Sequence, residues 1–270
     1  MRIILASLSA LMIMLVTGCG IDGETDMPSG TPGMVNVEGR PIYLTCMGTG
    51  SPTVVLEAGG TGNSDNWSSV QQDIAAFTRV CAYDRAGEGF SSSVPALQSI
   101  EAMVRDLRSI LRAGDIGGPF VIVGHSFGGR LARAFASIYP DEVIGMVLVD
   151  PGDEDFLRRA KELLTAEEWS QYSKVGGGIF ARMKAFQRNL KIGPTGVIPI
   201  VVLSATEGIY RSGLDDEINK KLHGLLVTLH KELVAQSSNG THVVAENSGH
   251  GIQDDRPDLV IDAIRQVTAN

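Results

Sequence analysis

From Met34 onward the chain alternates short, β-branched apolar runs with amphipathic stretches, and no other feature limits its fold as strongly. The runs are Met34 to Val37, Ile42 to Cys46, Thr53 to Leu56, Arg79 to Tyr83, Phe120 to Val123, Gly145 to Val149, Pro199 to Leu203 and His242 to Ala245. The later ones are almost unbroken in apolar character, as strands covered on both faces are. Helix-like stretches lie between them at Asp65 to Phe77, Ser99 to Ala113, Phe127 to Tyr139, Leu214 to Gln236 and Pro257 to Val267. In the last, Leu259, Val260, Ile261, Ile264 and Val267 keep helical spacing, and proline is tolerated in the first turn because its missing donor would be unpaired there anyway. Such alternation predicts a mostly parallel sheet with helices on both faces. At 270 residues and 43% hydrophobic content, the chain can bury the core of one large α/β domain or two small ones.

One segment interrupts the alternation. Asp153 to Ile192 reads as helical, with Phe156, Leu157, Leu163, Leu164, Trp169, Phe180, Met183 and Phe186 apolar and Gly176-Gly177-Gly178 as an internal break. It is longer than a crossover between parallel strands needs, which points to a lid or cap, the alternative being a long crossover helix.

The start of the chain has a different character. Arg2 supplies a positive charge, Ile3 to Val16 are mostly apolar, and Val16-Thr17-Gly18-Cys19 follows. The apolar run falls short of the roughly 20 residues of a membrane span and matches an export signal over residues 1–18. The final four residues resemble a bacterial lipobox, which implies lipidation of Cys19 and anchorage to a membrane in the cell envelope. Ordinary signal cleavage or an uncleaved anchor are the alternatives. Residues 19–33 are rich in Gly, Pro, Ser, Thr and acidic side chains and read as a tether. With Cys19 lipidated, Cys46 and Cys81 remain of the three cysteines, and an oxidising compartment would let them pair. The net charge of −8 and the lack of a basic run argue against a nucleic-acid partner.

The chemistry centres on Gly124-His125-Ser126-Phe127-Gly128, which follows the apolar run Phe120 to Val123 and precedes a helix-like stretch. A serine on a sharp turn between strand and helix is a nucleophile elbow, with its hydroxyl raised above the sheet. A serine hydroxyl is a weak nucleophile without a neighbouring base, so a partner is required. Of the five histidines, His250 alone sits in a loop after a strand, within Asn247-Ser248-Gly249-His250. His125, His223, His230 and His242 read as structural.

Eight strands, a serine elbow after the fifth and an insertion after the sixth resemble the α/β-hydrolase fold over Met34 to Asn270. The segment from Gly249 to Pro257 is similar to the family's histidine loop. That resemblance implies Ser126 as nucleophile and His250 as base, with a carboxylate between them in the chain. Asp150, at the end of the sixth strand, is the favoured acid. Glu207, near the end of the seventh, and Asp215 are the alternatives, and a turn residue before Pro151 is the structural reading of Asp150. The family's oxyanion hole implies backbone donors at Phe127 and, in the loop Glu57-Ala58-Gly59-Gly60-Thr61-Gly62, at Gly60 or next to it at Thr61. That loop departs from the His-Gly pair usual in relatives. Tyr83-Asp84-Arg85-Ala86-Gly87-Glu88-Gly89 resembles the family's turn after the fourth strand, with Asp84 and Arg85 structural. Its G-x-G lacks the spacing of a dinucleotide fingerprint. The family topology also sets the second and fourth strands side by side, which implies a Cys46–Cys81 disulfide.

The resemblance implies a serine hydrolase acting on a carboxylic ester or related acyl bond of a small molecule, with no cofactor and no metal. A cofactor-free haloperoxidase or carbon–carbon hydrolase, and a non-catalytic binding lipoprotein on the same scaffold, are the alternatives. Serine at the elbow disfavours haloalkane and epoxide hydrolysis.

Overall fold

The computed structural model describes residues 33–94, 98–186, 192–193, 196–207 and 213–269. The signal segment, Cys19 and the tether lie outside these residues, except for Gly33, which opens the first strand.

Eight strands form one sheet: β1 (Gly33–Val37), β2 (Arg40–Met47), β3 (Thr53–Glu57), β4 (Val80–Tyr83), β5 (Phe120–His125), β6 (Val143–Val149), β7 (Ile200–Ala205) and β8 (Gly240–Ala245). Their spatial order is β1-β2-β4-β3-β5-β6-β7-β8. β1 and β2 pair antiparallel, as do β2 and β4, and every later pair is parallel. All eight expected runs became strands, with each end within two residues of the expected one; β4 and β7 begin one residue later than expected.

The helices are α1 (Ser68–Ala75), α2 (Ile100–Ala113), α3 (Phe127–Ile138), α4 (Phe156–Leu163), α5 (Ala166–Phe186), α6 (Asp216–Val234), α7 (Ile252–Asp255) and α8 (Pro257–Thr268). Because side chains alternate along a strand, each central strand feeds two cores. On one face Val55, Ile122, Met146, Leu148 and Val202 meet Val104, Leu107 and Ile110 of α2 and Leu131 and Phe135 of α3. On the other, Val54, Leu56, Val121, Val123, Val147 and Val201 meet Trp67, Val70 and Ile74 around α1 and Val260, Ile264 and Val267 of α8.

The segment from Asp155 to Phe186 forms α4 and α5, and its own small core packs on α6. Leu157, Ala160, Leu164 and Tyr172 bury against Ile218, Leu222, Leu225 and Leu229. Its described side chains thus pack on a helix, the arrangement expected of a cap. The expected break at Gly176-Gly177-Gly178 is absent, since α5 runs through it. Glycine weakens a helix but keeps its N–H and carbonyl, unlike proline. The break falls instead at Leu164–Thr165, where Thr165 and Glu168 form a reciprocal cap: the Thr165 amide donates to Glu168 Oε2 at 2.8 Å and the Glu168 amide to Thr165 Oγ1 at 3.3 Å. The expected helix from Asp65 also begins differently, as a 3₁₀ turn over Ser64–Trp67 capped by Asn63.

Cys46 and Cys81 face each other in the β2–β4 register and are joined by a disulfide across a sequence separation of 35. Closing a loop of that size stabilises the chain by about 3 to 4 kcal/mol in the chain-entropy treatment. Replacing both cysteines by alanine is expected to lower the urea midpoint accordingly. An unchanged midpoint, measured by circular dichroism, would refute that contribution.

Candidate active site

Ser126 joins β5 to α3 with φ +51° and ψ −117°, a backbone conformation unfavourable to a residue with a Cβ. The turn holds because neighbouring backbones pass almost in contact. A Cβ on Gly124 would lie 2.4 Å from the Gly128 carbonyl oxygen, and one on Gly128 would lie 2.3 Å from that of Glu57. The Ser126 amide donates to Val149 O at 3.0 Å, and its carbonyl accepts from Gly152 N at 2.8 Å. The elbow is thereby fastened to the end of β6.

Asp150 is the next residue on that strand end. It is 2% exposed and has φ +40°. Its amide donates to Leu203 O at 2.8 Å, and its Oδ1 accepts from Ala205 N at 3.2 Å. Oδ2 lies 2.6 Å from His250 Nδ1. Burial alone would raise this carboxyl, but the hydrogen bond and electrostatic pull of His250, with a bond from the Ala205 amide, hold it below its ordinary range. A carboxylate at Nδ1 directs Nε2 of the ring outward. The other acids do not reach the histidine. Glu207 is exposed, and it is its backbone amide that meets the histidine loop, at Ser248 O, 2.9 Å away. Asp215 caps α6, accepting from Glu217 N at 2.9 Å.

His125 supports the loop from below. Its Nε2 is 2.8 Å from His250 O, and the two rings lie 4.6 Å apart. Burial, with the adjacent His250 charge, pushes its pKa down to about 4. The ring is therefore neutral near pH 7, and the Nε2 proton points at the carbonyl. Its position inside the elbow pentapeptide carried no sign of this contact.

The β3 loop crosses beside the serine. A Cβ on Gly59 would lie 3.7 Å from Ser126 Cβ, and one on Gly60 would lie 3.8 Å from Phe127 Cβ. Gly60 thus lies against the start of α3, where backbone N–H groups point out of the helix. Arg85, expected from the sequence to be structural, shapes this loop together with Glu57, which the sequence reading did not single out. Arg85, buried, donates through Nη1 to Glu57 Oε1 at 2.5 Å and to Ala58 O at 2.7 Å, and through Nη2 to Gly59 O. Tyr83 donates its hydroxyl to the other Glu57 oxygen. Burial pushes the Glu57 carboxyl up, against the pull of Arg85 and Tyr83. The available signal was a glutamate ending an otherwise apolar strand. Asp84 ties two turns together, accepting from Ser64 N and Phe90 N at 2.8 Å each. Among the described residues no group of three or more His, Cys, Asp or Glu side chains is placed to hold a metal.

The α/β-hydrolase fold family matches residues 52–197 of the chain. An uncharacterized protein of Bacillus subtilis, YqjL, is 28% identical over 231 residues, covering 82% of this chain and 85% of its own length. Several other curated relatives are longer, and the match spans about a third of their length or less. A thermophilic esterase from Thermogutta terrifontis superposes with a TM-score of 0.60 at 19% identity, over 87% of this chain and 97% of that one. A bromoperoxidase from Bacillus anthracis gives 0.64 at 15% identity, over 89% of this chain and 100% of that one. At such identities these structures speak for the fold.

From the 2.6 Å contact at Oδ2, Asp150→Asn is expected to be the damaging carboxylate change, lowering any turnover of a short p-nitrophenyl ester by about 10³- to 10⁴-fold. Glu207→Gln should stay near the parent rate. The reverse pattern would move the acid to Glu207.

Proposed function

The chain belongs to the α/β-hydrolase fold family, and from that premise we propose that it is a serine hydrolase cleaving a carboxylic ester or related acyl bond. The observation that carries the reading is the 2.6 Å pairing of His250 Nδ1 with Asp150 Oδ2 beside a serine held at φ +51°. His250 engages Asp150 through Nδ1, so Nε2 is the nitrogen that takes the Ser126 proton as Oγ bonds to the substrate carbonyl carbon. The carbonyl oxygen becomes an oxyanion and is met by the Phe127 and Gly60 amides. When the tetrahedral intermediate collapses, the bond to the leaving alkoxide breaks and the alkoxide takes the proton from His250. Water, deprotonated in turn by His250, attacks the acyl-enzyme and restores the Ser126 hydroxyl. Asp150 keeps the ring in the tautomer and orientation that both halves require.

A fluorophosphonate probe tests this directly. It should label the folded parent at Ser126 and fail on Ser126→Ala, and the parent should hydrolyse short p-nitrophenyl esters. A folded parent that neither labels nor turns over would leave a binding protein on a hydrolase scaffold.

The same reading extends to location: an exported protein tethered to the cell envelope by lipid on Cys19. The Cys46–Cys81 disulfide supports it, because such bonds persist in oxidising compartments. Expressed with its leader in bacteria, the parent should fractionate with membranes and Cys19→Ser with the soluble pool. Recovery of the parent in the soluble pool would overturn the anchor.

A further inference from the structure

Behind Asp150 lies a second polar network that takes no part in the steps above. His230, on α6, is 1% exposed. Its Nε2 is 2.8 Å from the carbonyl oxygen of Pro151, and its Nδ1 is 2.7 Å from Ser204 Oγ on β7. Ser204 Oγ is in turn 2.8 Å from His242 Nε2 on β8. Hydrogen-bond chemistry orders these contacts. A carbonyl only accepts, so His230 carries a proton on Nε2. Burial lowers the pKa of the ring, opposed by the Asp150 charge and the Pro151 carbonyl, and in a neutral ring protonated at Nε2 the Nδ1 atom is an acceptor. Ser204 therefore gives its hydroxyl proton to Nδ1, and its oxygen accepts the Nε2 proton of His242. The donors run in one direction, from His242 through Ser204 and His230 to Pro151.

The end of that chain is a mechanically sensitive place. Pro151 lies between Asp150, held at φ +40°, and Gly152, whose amide donates to Ser126 O at 2.8 Å. The cap departs from the sheet immediately afterwards. α6 carries His230 and also buries the cap core through Ile218, Leu222, Leu225 and Leu229. One helix thus holds both the cap and the corner that bears the acid.

We propose that His230, oriented by Ser204 and His242, is a positioning residue that holds the Asp150–Pro151 corner so that Asp150 Oδ2 stays aligned with His250 Nδ1. This rests on the assignment of Asp150 and His250 made above. His230 touches no substrate and acts only through the corner.

The test uses the full chain and three variants: His230→Leu, which leaves the Pro151 carbonyl without a donor, His230→Gln, whose amide can still donate to it, and Ser204→Ala, which removes the proton directed at Nδ1. Two readouts are taken. The first is kcat and KM for a short ester. The second is the downfield proton resonance of the His250–Asp150 hydrogen bond, recorded by NMR in a Ser126→Ala background, where no turnover is needed. His230→Leu should lower kcat about tenfold with KM unchanged, and should weaken or shift the resonance. His230→Gln should recover most of both, and Ser204→Ala should move both in the direction of the leucine variant. Should His230→Leu fail to fold, the glutamine and Ser204→Ala pair decides the matter. A lowered melting temperature with kcat and the resonance unchanged would overturn the proposal. A parent that neither labels nor turns over refutes the hydrolase reading, while the resonance still judges the role of His230.

Discussion

The site depends on sheet hydrogen bonding that continues past the ends of two strands. Ser126 N donates to Val149 O, and Asp150 N donates to Leu203 O, so the ladders β5–β6 and β6–β7 each gain a rung beyond the last regular residue. These rungs set a serine and an aspartate side by side on neighbouring strand ends. The histidine loop reaches the same edge after β8, and the Asp150 carboxylate meets it there. Parallel strands make this geometry possible, because all their C-terminal ends open on one side of the sheet.

The arrangement is held against local strain. Ser126, Asp150 and Asn247 have positive φ values of 51°, 40° and 59°, and all three belong to the elbow, the acid corner or the histidine loop. Non-glycine residues in such conformations cost on the order of 1 kcal/mol or more each, and they persist where surrounding contacts over-determine the backbone. At the elbow those contacts are the passing backbones of Glu57 and Gly128 and the bond to Gly152. At the acid corner they are Leu203, Ala205 and His230.

Charge serves a similar end at the β3 loop. The Arg85 guanidinium is buried beside the Glu57 carboxylate, and its remaining donors go to main-chain carbonyls of Ala58 and Gly59. A buried cation with its counterion and carbonyl acceptors all satisfied is a rigid unit, since releasing any one contact leaves an unpaired polar group in a low-dielectric interior. The β3 loop is thus shaped by a side chain from the neighbouring strand end.

The pattern of the chain already specified the strands, most of the helices and a mostly parallel sheet. β-branched apolar runs have few other ways to bury both faces, and Gly-x-Ser-x-Gly, a common pattern alone, gains its meaning from standing between a strand and a helix. The sequence also singled out Ser126 and His250, whose positions relative to strand ends can be read along the chain. It left Asp150, Glu207 and Asp215 open, because all three lie in loops and only packing across β6, β7 and the histidine loop tells which carboxylate faces the ring. The glycine triplet misled for a related reason: local propensity disfavours a helix there, but weakly, and α5 continues through it. The contacts by which Arg85, His125 and His230 brace the site appear only once the chain is folded. Each of the three bonds a main-chain carbonyl distant in sequence, and a carbonyl carries no identity that a sequence pattern can reveal.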